Sequence, residues 1–149
     1  MRFTIATAAA LFFGATVYAL PQRGSGPPDP NSYENIDISD LSVWKDESGK
    51  VTGASFGLTG EDATDLSCEV QNLESFPTGV ITCGDSMYRF ALDKGESTEF
   101  ALHLYHDLGG FAGFYGRGDV FTYCHAGGLN RVICTQQYPT TIVIDNLPE

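Results

Sequence analysis

The chain has 149 residues, the length of one ordinary domain, with 19 acidic against 8 basic side chains and a formal net charge of −11. So acidic a surface repels phosphate backbones and anionic lipid, which excludes nucleic acid and the membrane as principal partners. A hydrophobic fraction of 42% with 12% aromatics argues against disorder, and 17 glycines with 7 prolines suit short strands and turns better than a helix bundle.

Residues 1–19, MRFTIATAAALFFGATVYA, place Arg2 ahead of an apolar run from Ile5 to Val17. Val17 and Ala19 then occupy the −3 and −1 positions of a cleavage site. This is the pattern of a secretory signal peptide. The run falls short of the roughly 20 apolar residues that cross a bilayer. The expected localisation is therefore extracellular. Pro21, Pro27, Pro28 and Pro30 deny the next stretch both a ladder and a helix interior, so residues 20–34 read as a flexible leader and residues 35–149 as the folded domain. No Asn-x-Ser/Thr acceptor for N-glycosylation is present.

Alternation of apolar and polar residues dominates from there. Ile36 and Ile38, then Leu41 and Val43, mark a first strand whose parity slips in the middle, the signature of a bulge. Asp46 to Gly49 predicts a turn. Ala54, Phe56 and Leu58, then Leu66, Cys68 and Val70, predict the next two strands. Pro77 to Gly79 turns the chain into Val80–Cys83, and Tyr88, Phe90 and Leu92 alternate before a turn at Asp93–Gly95. Phe100, Leu102 and Leu104 follow. Val120–Cys124, Val132–Thr135 and Thr140–Ile144 complete about nine strands, which predicts an all-β fold, an antiparallel β-barrel or barrel-like sandwich. The stretch Gly109–Gly118, half of it glycine, breaks the rhythm and reads as a flexible loop or a bulged strand.

The four cysteines, Cys68, Cys83, Cys124 and Cys134, all follow the leader. An even count in an oxidising compartment predicts two disulfides. Of the three connectivities open to them, Cys68–Cys83 with Cys124–Cys134 is favoured because each pair lies on successive strands with a short connection. A redox pair would be Cys-x-x-Cys, and a zinc site would need closely spaced ligands; neither is present.

Around these cysteines the chain resembles a known family. LSCEVQ (Leu66–Gln71), TCGDSMYRFAL (Thr82–Leu92), YCHAGG (Tyr123–Gly128) and VIC (Val132–Cys134), with SVWK (Ser42–Lys45) and ASFGL (Ala54–Leu58), are similar to the Alternaria major-allergen family of small secreted fungal proteins. The resemblance spans residues 35–147. It implies an antiparallel barrel of about ten strands with the same disulfide pairing. It also implies action as an allergen, elicitor or virulence effector on plants, through contact with extracellular or cell-surface host proteins. A small phenolic ligand belongs to the type member, as does a covalent dimer made by an extra N-terminal cysteine. This chain has no cysteine before Cys68, so it is expected as a monomer or a non-covalent dimer, and no ligand residues carry over.

Candidate chemistry is sparse. His103 and His106 make His-x-x-His, but strand positions three apart face opposite ways, so both read as edge or surface residues rather than metal ligands. A nuclease would need a base, an acid and a phosphate-facing arginine; Glu99, His103, His125 and Arg117 supply the types without a recognisable local motif. Asp37, Asp40, Asp46, Glu47, Glu61, Asp62 and Asp65 lack the spacing of a calcium loop and read as a solvated surface. Phe111, Phe114, Tyr115 and Arg117 in the glycine-rich stretch have the composition of a binding hot spot, the plainer alternative being rings that plug the barrel end. The expectation is a secreted, non-enzymatic effector or elicitor with no catalytic residues, metal or cofactor. The alternatives are a carrier holding a phenolic or apolar ligand in its barrel, and a secreted ribonuclease or other hydrolase.

Overall fold

The computed structural model describes residues 32–110 and 112–146. Residues 1–19, read as a signal peptide, residues 20–31 of the segment read as leader, Phe111 and residues 147–149 lie outside the described residues. Ten strands make up the fold: β1 (Tyr33–Lys45), β2 (Val51–Gly60), β3 (Ala63–Gln71), β4 (Ile81–Thr82), β5 (Tyr88–Asp93), β6 (Phe100–Gly109), β7 (Ala112–Val120), β8 (Thr122–Gly128), β9 (Arg131–Gln136) and β10 (Thr140–Asp145). All pairings are antiparallel. β1 starts at Tyr33, so the last residues of the segment read as leader belong to the sheet, and Glu34 is buried in it.

The main path runs β3-β2-β1-β10-β7-β6-β5-β4, which makes β3 and β4 its two edges. Cys68 on β3 bonds to Cys83 just beyond β4, so a disulfide rather than a ladder joins the edges and the sheet curls into a nearly closed barrel. The favoured pairing is the one found, on strands successive in the chain as expected, although β3 and β4 are not sheet neighbours. The second disulfide, Cys124–Cys134, lies within the β8–β9 hairpin, where the two residues are register partners.

β1 carries the slip that its sequence predicts. Ile36 and Ile38 face inward, Asp40 adopts φ 54°, and inward parity resumes at Leu41 and Val43. A short polar side chain tolerates that left-handed geometry. The slip lets one edge of β1 serve two partners, β10 along Tyr33–Ile38 and β9 along Ser42–Lys45. Backbone groups orphaned at the changeover are satisfied by one amide. Gln136 Oε1 accepts from the Leu41 N–H at 3.0 Å, and its Nε2 donates to the Ile38 carbonyl at 3.0 Å.

From Ala112 on, the glycine-rich stretch is strand rather than loop. β7 pairs with β6 from Phe100↔Val120 to Gly109↔Ala112, with a register shift between Asp107 and Gly109. Its inward positions are Phe114, Gly116, Gly118 and Val120. A Cβ at Gly118 would lie 2.6 Å from Ile142 Cγ1, and one at Gly116 would strike the Val143 carbonyl. The glycines thus make room for β10 to press its isoleucines into the core. The reading of Val120–Cys124 as one strand fails for a related reason: β7 ends at Val120 and the chain crosses at Phe121 into β8.

Inward side chains from the strands form one packed cluster, including Ile36, Leu41, Phe56, Phe90, Leu102 and Ile144. Phe56 and Phe90 meet edge to face at 5.0 Å. This packing fills the barrel interior.

Candidate functional site: an aromatic edge and a buried polar cluster

The residues singled out in the glycine-rich stretch divide by strand parity. Phe114 points inward and is 7% exposed, a core residue. Tyr115 and Arg117 point outward, opposite Tyr105 and His103 of β6 respectively. Arg117 donates to the Lys94 carbonyl at 2.9 Å and to Glu96 Oε1 at 3.1 Å, so its guanidinium holds a turn of its own chain. Phe111 lies outside the described residues, and Phe114, Tyr115 and Arg117 form no single exposed cluster.

The histidines also separate, as their spacing predicts. His103 faces outward, 3.2 Å from Asp93 Oδ2. The Asp93 carboxyl is held below its usual range, first by the Lys94 N–H and then by His103. His106 is not a surface residue: it is 2% exposed and sits at the centre of a polar cluster. Its Nδ1 is 2.6 Å from Glu34 Oε2, its Nε2 is 3.3 Å from Asp62 Oδ2, and its ring stacks on Tyr88 at 4.0 Å. Glu34 Oε1 accepts from the Tyr88 hydroxyl at 2.6 Å and from the Glu61 N–H at 2.7 Å. Burial, reinforced by Glu34, pushes the Tyr88 phenol far above its ordinary range. The cluster ties β1, β5, β6 and the β2–β3 turn together at one end of the barrel. Every buried polar atom named here has a partner, which is what a structural polar network requires.

The residue types of a nuclease are not assembled. Glu99 pairs with Lys45, His103 with Asp93, Arg117 with Glu96, and His125 stacks on Tyr123. Among the described residues, one trio of potential metal-binding side chains converges: Glu99, Cys124 and Cys134. The two sulfurs are already bonded to each other, so no thiolate is available to a cation. Glu99 Oε2 lies 3.0 Å from Cys124 Sγ, a contact rather than a hydrogen bond, since a disulfide sulfur carries no proton.

A more exposed feature is the β8–β9 hairpin. β9 pairs with β1 on one side, whereas β8 pairs with β9 alone among the described strands, leaving its outer edge open. Phe121, Tyr123 and His125 recur at every second position along that edge; Phe121 is 58% and Tyr123 64% exposed. Tyr138 lies nearby, because the Gln137 N–H donates to the Phe121 carbonyl at 3.0 Å. Leu129 stands out at the hairpin tip. Exposed aromatics beside an unpaired strand edge suit protein contact, by side-chain anchoring and by strand addition. The alternation Phe-x-Tyr-x-His is visible in the sequence; that both it and the edge are uncovered is not.

Comparison with known proteins agrees with this architecture. The family model described as Alternaria alternata allergen 1 matches residues 38–134. The chain is 56% identical over 151 residues to "Effector protein PevD1" of Verticillium dahliae, covering 100% of this chain and 97% of that protein. Two crystal structures of the Alternaria alternata allergen Alt a 1 share the fold. One has a TM-score of 0.64 at 21% identity and covers 77% of this chain and 95% of the other; the second has 0.64 at 23%, covering 76% and 89%. These relatives are named as an effector and as allergens, not as enzymes. With most of its barrel inside the matching span and both disulfides closing as the resemblance implies, the chain belongs to the Alternaria alternata allergen 1 family.

Proposed function

We propose that the protein is a secreted effector that acts outside the producing cell by contact with host plant proteins. The observation carrying this is the 56% identity, over the whole chain, to a protein named as an effector. The signal-peptide pattern of residues 1–19 supports export. The β8 edge with Phe121 and Tyr123 is the surface best suited to a partner. Affinity there would come from a few aromatic anchors.

The test is infiltration of the purified, disulfide-intact protein into leaves, reading the oxidative burst and cell death. A reduced and alkylated sample and a Phe121→Ser/Tyr123→Ser variant run beside it. The intact protein should elicit a response that both other samples lose, and it should retain a partner from leaf extracellular fluid. No leaf response together with no retained partner would overturn the proposal.

A further inference from the structure

The chain contains three lysines, Lys45, Lys50 and Lys94, and all three line one cleft on a protein of net charge −11. The cleft has a volume of about 550 Å³ and an apolar floor built from Val51, Phe76 and Phe100. Val51 and Phe100 are buried, and the Phe76 and Phe100 rings meet at 5.9 Å and 77°. Phe76 is the half-buried ring, so it is the aromatic surface a guest can reach, with Phe100 and Val51 backing it. Lys45 is committed: it pairs with Glu99 and lies over the Phe100 ring at 5.3 Å. Lys50 and Lys94 have no salt bridge among the described residues.

Both of these lysines stand on pinned turns. Asp46 Oδ1 accepts from the Ser48 N–H at 2.9 Å and the Lys50 N–H at 3.0 Å, and Gly49 takes φ 82° to close that turn. On the other side Asp119 accepts from the Glu96 and Ser97 N–H groups at 3.1 and 2.7 Å, while Arg117 holds the Lys94 carbonyl. The ammonium stems are flexible, but the backbone that aims them is fixed before any ligand arrives.

We propose that this cleft is a binding site for a small aromatic acid, its ring system against Phe76 and its anionic group between Lys50 and Lys94. The volume suits a one- or two-ring guest and is too small for a polymer. Among the residues that line the cleft, Glu99 is neutralised by Lys45 and Glu74 offsets one of Lys50 and Lys94, leaving one net positive charge in the lining; Asp46, on the turn that carries Lys50, faces that lysine from just outside it. An anion approaches against the field of the whole acidic chain, so only contacts made within the cleft can hold it. The site lies outside the packed barrel interior, and it neither requires nor excludes the host contact at β8.

Fluorescence titration with 8-anilinonaphthalene-1-sulfonate, against its neutral counterpart N-phenyl-1-naphthylamine, tests the assignment on the disulfide-intact protein. Each exposed lysine–anion contact is worth about a twofold to fivefold change in affinity, so Lys50→Gln/Lys94→Gln should weaken the sulfonate by about fourfold or more. The neutral probe should be unaffected, and Lys50→Arg/Lys94→Arg should retain sulfonate binding. Arg89→Gln/Arg131→Gln removes the same charge elsewhere and should leave the titration unchanged. Equal weakening by the lysine and arginine pairs, or no weakening by the lysine pair, would overturn the site.

Discussion

Truncating Glu34 to alanine should be among the most damaging single changes in the barrel. The wild-type carboxylate is 2% exposed and accepts from the Tyr88 hydroxyl at 2.6 Å, engages His106 Nδ1 at 2.6 Å and accepts from the Glu61 N–H at 2.7 Å. Asp62 beside that N–H is well exposed, so water can reach Glu61 after truncation. Tyr88 and His106 are buried and would lose their partner without replacement. At about 1–3 kcal/mol for each orphaned buried group, and in line with other broken buried pairs, the loss should be about 3–5 kcal/mol. That is a third or more of a typical domain's stability and a fall in Tm of roughly 10–20 °C. Denaturant unfolding with both disulfides intact, followed through the single tryptophan, Trp44, measures it. Trp44 pairs with both β2 and β9, so its emission reports the sheet as a whole. Glu34→Gln keeps an acceptor for Tyr88 and should lose less than the alanine variant. A Glu34→Ala loss below about 1 kcal/mol would refute the view that this network is buried and mutually satisfied.

Three further outcomes follow from the same structure. The Tyr88 phenol is raised above the ordinary tyrosine value of about 10 by burial and Glu34, so the unfolded chain ionises first as pH rises. Its contribution is complete below pH 10 and is lost above it; Tyr88→Phe should flatten that alkaline fall in denaturant midpoint, and an unchanged slope would count against the assignment. Replacing Cys68 and Cys83 by alanine opens a 15-residue separation and the only covalent link between the sheet edges, costing about 3 kcal/mol in unfolding experiments. Gly118→Val should destabilise by about 1–3 kcal/mol, because its side chain has to displace Ile142 from a filled core; thermal melts that match wild type would show that β10 can retreat.

Much of this molecule is legible along the chain. Period-2 alternation in segments such as Ala54–Leu58 and Phe100–Leu104 determines strands by itself, since each residue's face depends only on its own backbone. The slip between Ile38 and Leu41 announces the bulge for the same reason, and an even set of cysteines behind a signal-peptide pattern announces the staples. What the tertiary structure decided is whatever depends on which strands meet. Glycines read as looseness in Gly109–Gly118, yet there they are the only residues small enough to let β10 close on β7, a contact defined by Ile142 and Ile144 far along the chain. His106 looks like a surface histidine until Glu34, 72 residues away, supplies the buried partner that makes its burial tolerable. Lys45 and Lys50 flank the β1–β2 turn while Lys94 follows β5, and only the curl of the sheet, with its edges joined by Cys68–Cys83, brings Lys94 to the same cleft. Local chemistry sets the face of each residue; the closure of the sheet sets its neighbours, and those neighbours determine burial, charge pairing and the sites.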